Sequence, residues 1–195
     1  MVHPLVLPMA LLAKSSMVSQ TSRCAWRSSS STALASSLSF PVMDPSTGKE
    51  LTDDDSSFQD KRVALYFAAG WCPMCTRAFE PSLETFRQAC EESNKPVEFL
   101  YVSSDKDSDT AKKRATELNM KMVPFGEMSA KLKKDYNIWA GSEALQFGFG
   151  RRSGVPAIVV LDKTGEELAF LPAEAQGPKA LSSWPMDDEM GIWGV

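Results

Sequence analysis

The sequence predicts an α/β domain built on a central mixed β-sheet flanked by helices, and three observations carry that expectation. Val63-Ala64-Leu65-Tyr66-Phe67-Ala68 is an almost unbroken apolar run, as expected of a central strand covered on both faces. Val97 to Val102 is a second strand of the same kind, separated from the first by a helical pattern, which makes a βαβ unit with parallel strands and a right-handed crossover. Farther along, Ala157 to Leu161 and Glu166 to Leu171 flank Asp162-Lys163-Thr164-Gly165, the chemistry of a hairpin turn, so an antiparallel pair joins the sheet and makes it mixed.

The remaining elements follow in order. Pro45 to Asp60 is polar, with Gly48 and an acidic cluster at Asp53 to Asp55, and reads as a short hairpin or irregular lead-in strand. Gly48-Lys49 lacks the earlier glycine and the following Ser or Thr of a phosphate loop. A helix runs from about Met74 to Glu92. Pro81 inside it has no N–H to donate and must kink the helix or sit at a break. Cys90 falls in helical register with Phe79, Leu83 and Phe86, which marks it as a buried small hydrophobe rather than a third redox thiol. Ser108 or Asp109 caps a second helix that reaches about Asn119. Met122 to Phe125 is extended, and Glu127 to Tyr136 is a helix with Met128, Leu132 and Tyr136 on one face. Trp139 to Gly150 reads as a loop whose aromatics either pack over the sheet or form a binding surface. A short helix near Pro178 to Ser183 closes the domain, and residues 186–195 form an acidic, solvated tail.

At 195 residues the chain fits one domain with room for a sizeable core. Its charge is unevenly spread. The whole chain carries −4, yet residues 1–43 hold Lys14, Arg23 and Arg27 and no acid, so the remainder carries −7. A mildly acidic domain without clustered Lys and Arg is a poor nucleic-acid binder, and no apolar run is long enough to cross a bilayer. Residues 1–43, rich in Ser and Ala, have the composition of a disordered organellar transit peptide for plastid or mitochondrion. Pro4 to Ala13 alternatively forms the core of a secretory signal, alone or in a bipartite leader, and an unaddressed tail in the cytoplasm is the plainest alternative. On the transit-peptide reading the domain proper spans 44–185.

The most informative residues are Trp71-Cys72-Pro73-Met74-Cys75, directly after the first strand and at the start of the first helix. That junction delivers Cys72 to a helix N-terminus, where unpaired backbone N–H groups and the helix dipole favour a thiolate. Cys75, one turn on, can attack a mixed disulfide formed at Cys72, which is the minimum machinery for thiol–disulfide exchange. Cys72 is thus the expected nucleophile and Cys75 the resolving thiol. Trp71 either shields the site or caps the strand. Arg151 and Arg152, just ahead of Gly154-Val155-Pro156, lend the site positive potential or are simply solvated.

With Cys-x-x-Cys at the first strand–helix junction and Gly154-Val155-Pro156 before a later strand, the chain resembles the thioredoxin-like superfamily over Lys61 to Pro185. The run Tyr66-Phe67 … Trp71-Cys72-Pro73-Met74-Cys75, with Pro124-Phe125 and Trp184-Pro185, is most similar to its tryparedoxin/nucleoredoxin-like branch. The resemblance implies a cis bond at Val155–Pro156 facing the two cysteines, with Val155 free to pair with an extended substrate segment. A proline at the first residue of a strand is the structural alternative. It also implies a protein-disulfide reductase that uses no cofactor, acts as a monomer, takes electrons from an upstream thiol reductant and passes them to disulfide-containing client proteins. The chain departs from the branch's pattern in several places. Met74 replaces a second proline, Pro81 lies one residue farther from Cys75 than expected, and Trp139 to Gly150 looks inserted. Tyr66 stands where plain thioredoxins carry a buried Asp, which leaves the acceptor of the Cys75 proton open.

Residue inventory narrows the other chemistries. The sole histidine is His3, so a Cys–His protease lacks its base, and one Cys-x-x-Cys supplies only two of about four zinc ligands. A cluster shared between two chains, a thiol peroxidase using Thr76-Arg77, and a docking module with little redox turnover are the alternatives that remain.

Overall fold

The computed structural model describes residues 38–51, 58 and 61–186. The expected targeting segment up to residue 37, Cys24, the acidic cluster 53–55 and the terminal acids 187–189 lie outside the described residues.

Five strands form one mixed sheet in the order β3-β2-β1-β4-β5. β1 (Arg62–Ala68) is buried along its whole length, in keeping with its unbroken apolar run. It pairs in parallel with β2 (Val97–Ser103), Tyr66 opposite Tyr101, and antiparallel with β4 (Ala157–Leu161), Tyr66 opposite Ile158. β3 (Lys121–Met122) lies parallel to β2 on one edge, and β5 (Glu167–Leu171) lies antiparallel to β4 on the other. The β4–β5 turn is held by Asp162, whose Oδ1 accepts from the Thr164 N–H and hydroxyl and from the Glu166 N–H, with Gly165 at φ +86°.

The first helix is where the structure adds most to the sequence reading. Met74–Phe79 is a π-helical turn, and α1 proper is Glu80–Glu92. The Glu80 N–H donates to the Cys75 carbonyl five residues back. The wider turn accommodates the residue by which Pro81 is displaced from Cys75. Pro81 then falls in the first turn of α1, where a missing N–H leaves nothing unpaired. Cys90 and Leu83 face the core as their register implies, while Phe86 is half-buried and packs on Trp184, ring centroids 5.0 Å apart.

α2 (Ser108–Glu117) is capped by Asp107, not by Ser108 or Asp109: its carboxylate accepts the Thr110 N–H at 2.8 Å. Thr110 is the third residue of the helix, the reach a capping side chain needs. α3 (Glu127–Tyr136) matches its expected span. The segment expected as a loop carries a 3₁₀ turn (Gly141–Glu143) running into the short helix α4 (Ala144–Phe147). Trp139 is buried beneath it and donates its indole N–H to the Gly148 carbonyl. α5 (Ala173–Gln176) and a 3₁₀ stretch (Gly177–Ser183) replace the single closing helix expected from the sequence. Phe40 and Val42 are buried in the core, and Met43 exchanges backbone hydrogen bonds with Met122, so packed chain begins ahead of residue 44.

Candidate active site

The end of β1 leads through Ala69 and Gly70 directly into the cysteine motif. Gly70 donates its N–H to Asp105 Oδ1, and Asp105 Oδ2 accepts from the Tyr101 and Ser103 hydroxyls, 2.7 Å each. The ends of β1 and β2 are thereby tied together under the motif. Trp71 is 47% exposed, and its indole N–H donates to the Ser104 carbonyl at 2.9 Å, so the ring lies fixed at the surface beside the site.

Cys72 is 7% exposed and Cys75 fully buried, both as free thiols. The Cys75 backbone N–H donates to the Cys72 sulfur at 3.4 Å, which places a helix-start amide where a thiolate would gain from it. The Cys72 thiol points at the Val155 carbonyl, 3.7 Å away. The Val155–Pro156 peptide is cis, and the Cys72 sulfur lies between the Cys75 amide and the Val155 carbonyl. Burial, the hydrogen bond to Cys72 and the negative charge of Glu80 push the Cys75 thiol well above the usual thiol range. Of the two sulfurs, the outer one is placed to meet a substrate and the inner one is held protonated.

Arg151 and Arg152 do not serve the site with free charge. Arg151 pairs with Glu174 and donates to the Trp139 carbonyl. Arg152 forms a two-pronged pair with Glu167 and stacks over Phe170 at 3.8 Å. Glu174 also accepts the Gly154 N–H at 2.6 Å, so the Arg151–Glu174 pair pins the backbone leading into Val155.

Two groups of residues escaped the sequence reading. Behind Cys75, Glu80 is buried, accepts from the Tyr66 hydroxyl at 3.3 Å and pairs with Arg114 of α2. Beside Trp71, the Lys133 ammonium is buried and pairs with Glu143 at 2.5 Å, and Glu143 also accepts from the Ser104 hydroxyl and the Ala140 N–H, 2.8 Å each. A groove of about 670 Å³ between Trp71, Phe125, Lys133 and Phe147 runs along this second group. Neither ion pair falls at a motif spacing: Glu80 and Arg114 are 34 residues apart, Lys133 and Glu143 10. Among the described residues no cluster of three or more His, Cys, Asp or Glu is arranged to hold a metal ion.

Comparison with known proteins bears on this geometry. A family model described as thioredoxin-like matches residues 60–167. Probable nucleoredoxin 2 of Oryza sativa subsp. japonica is 31% identical over 120 residues, 62% of this chain and 27% of that protein. Nucleoredoxin of Bos taurus is 28% identical over 123 residues, 62% of this chain and 24% of that protein. The chain thus spans about a quarter of the length of the curated relatives it matches. Among solved structures, thioredoxin from Wuchereria bancrofti matches with a TM-score of 0.50 at 28% identity, covering 74% of this chain and 93% of that one. Tryparedoxin from Trypanosoma brucei shares the fold with a TM-score of 0.53 at 23% identity, over 78% of this chain and 98% of that one.

Proposed function

The chain belongs to the thioredoxin-like family, and from that premise we propose that it is a protein-disulfide reductase of the tryparedoxin/nucleoredoxin-like branch. Family membership supplies the general chemistry, thiol–disulfide exchange. The observation that carries the finer reading is the asymmetry of the pair, with Cys72 the more accessible sulfur at 7% exposure beside the Val155 carbonyl and Cys75 fully buried.

On this reading Cys72 attacks one sulfur of a client disulfide, forming a mixed disulfide and releasing the other sulfur as a thiolate. Cys75 then attacks Cys72, closing the Cys72–Cys75 disulfide and releasing the second client thiol. Two electrons pass to the client, and an upstream thiol reductant restores the dithiol. Trp71 and the Val155–Pro156 backbone flank the client segment, and the basic, acid-free segment 1–43 directs the chain to a plastid or mitochondrion.

Two measurements test this. Equilibration of the full chain against glutathione should give a reduction potential near or below about −230 mV, whereas about −150 mV would make it an oxidase or isomerase. With dithiothreitol as reductant, the chain should accelerate insulin reduction and Cys72→Ser should abolish that acceleration. Full function in Cys72→Ser would instead point to a docking module.

A further inference from the structure

Behind Cys75 lies a buried set of ionisable groups that the exchange chemistry described so far leaves unused. Glu80 opens α1 with its side chain only 8% exposed. It points inward because the π turn of Met74–Phe79 advances the chain by one residue before Pro81 starts the α-helix. Its carboxylate meets the Tyr66 hydroxyl from β1 on one side and the Arg114 guanidinium from α2 on the other. Glu117 of α2 also acts on it, and Glu84 and Arg87 flank it along α1. Burial raises the Glu80 carboxyl above the ordinary carboxylate range, and Arg114 and Tyr66 hold part of that rise back.

Cys75 poses the complementary problem. To resolve a mixed disulfide it must lose its proton, yet it is fully buried, and burial, the hydrogen bond with Cys72 and the charge of Glu80 hold it as a thiol. Such a group attacks only if a base takes its proton as the new bond forms. Glu80 closes the same π turn, its backbone N–H bonded to the Cys75 carbonyl and its side chain buried, and its charge acts on the Cys75 thiol.

We propose that Glu80 is the proton acceptor for Cys75, with the Tyr66 hydroxyl holding the carboxylate in place. The proposal rests on the reductase reading and deepens it. In the step, the Cys75 S–H bond breaks and its proton passes to Glu80. The Cys75 electron pair forms the bond to Cys72 Sγ, the bond between Cys72 and the client breaks, and the client sulfur leaves as a thiolate. Glu80 then returns the proton to that thiolate or to water. No outside oxidant or reductant is required.

The test uses the full chain with Cys24→Ser and an aromatic disulfide, 5,5′-dithiobis(2-nitrobenzoate), as probe. A first coloured thiolate reports attack by Cys72, and a second reports resolution by Cys75. Because this leaving group needs no proton, the second release isolates deprotonation of Cys75. Glu80→Gln should slow the second release at pH 7 by about 100-fold, the low end of general-base contributions, and the deficit should shrink as pH rises. The first release should be unchanged. Tyr66→Phe, which keeps the Glu80–Arg114 pair, should slow the second release by a smaller factor.

A merely electrostatic role for Glu80 predicts the opposite sign, since removing its charge makes Cys75 easier to ionise and the second release faster. An equal or faster second release in Glu80→Gln therefore overturns the proposal. Should Glu80→Gln fail to fold because Arg114 keeps only its Glu117 partner, Glu80→Gln/Arg114→Gln removes that under-paired charge and is read the same way. If the second release behaves as expected but the parent chain does not reduce insulin, the reductase reading fails and the relay stands. If the parent reduces insulin and the second release is indifferent to Glu80, only the relay fails.

Discussion

Replacing Glu143 with alanine should cost this domain about 3 kcal/mol, because it strands a buried cation. The Lys133 ammonium is buried, its side chain 5% exposed, and Glu143 is its ion-pair partner at 2.5 Å. The same carboxylate accepts from the Ser104 hydroxyl and the Ala140 N–H. Removing one partner of a buried pair typically costs about 3–5 kcal/mol, and the 17% exposure of Glu143 argues for the low end. For a domain of this size that is a fall in Tm of about 6–12 °C. The loss depends on pH with a definite sign. Burial lowers the Lys133 ammonium below its ordinary 10.5, with Glu143 opposing, so between the folded and unfolded values the unfolded chain binds more protons and stability rises with pH. Without Glu143 the folded value drops further and that window widens downward. The deficit should therefore be full below the variant's folded value, narrow until pH reaches the parent's folded value, which itself lies below 10.5, and stay constant above it. Urea unfolding at several pH values, with Lys133→Met/Glu143→Gln as the control, measures it. The paired replacement should recover most of the loss, because an uncharged filling of the site is often neutral. A loss below about 1 kcal/mol in Glu143→Ala, the range of surface pairs, would refute the reasoning.

Three further outcomes follow from the same structure. In the folded dithiol chain Cys90 should resist iodoacetamide at pH 8, because burial raises its thiol, and peptide mapping should find it modified only after unfolding; rapid labelling of Cys90 in native protein would contradict its place in the core. Trp71→Ala removes an indole held at the site by the Ser104 carbonyl and should slow reduction of protein disulfides more than that of small ones, measured as separate kcat/KM values; equal slowing of both would remove its role in client contact. Residues 1–43 fused to a fluorescent reporter should send it to a plastid or mitochondrion, and a reporter left in the cytosol would dispose of that address.

What the sequence disclosed was chemistry written at short range. The apolar run of β1, the two cysteines three residues apart, Val155-Pro156 and the Asp162–Gly165 turn each carry their structural meaning within a few positions, and each stands where it was expected. What it hid depends on register or on distant partners. Pro81 announced a break but not that a π turn would make it, and only that turn sends Glu80 inward to Tyr66 and Arg114. A glutamate just ahead of a helical proline reads as a solvent-facing first-turn acid. Lys133 likewise reads as one of several surface lysines on α3, and its burial follows from Glu143 in a segment that looked like irregular loop. The cap of α2 fell one residue early because Asp107, Ser108 and Asp109 all have capping chemistry, and only backbone geometry selects among them.

The most direct test of the account is a trap. Full-length Cys75→Ser, incubated with insulin and analysed by intact mass and peptide mapping, should accumulate a disulfide-linked adduct at Cys72 that dithiothreitol releases, while Cys72→Ser accumulates none at Cys75. An adduct on Cys75, or no adduct at Cys72 in the presence of excess client disulfide, would contradict the assignment of the outer cysteine as nucleophile and the inner one as resolving thiol.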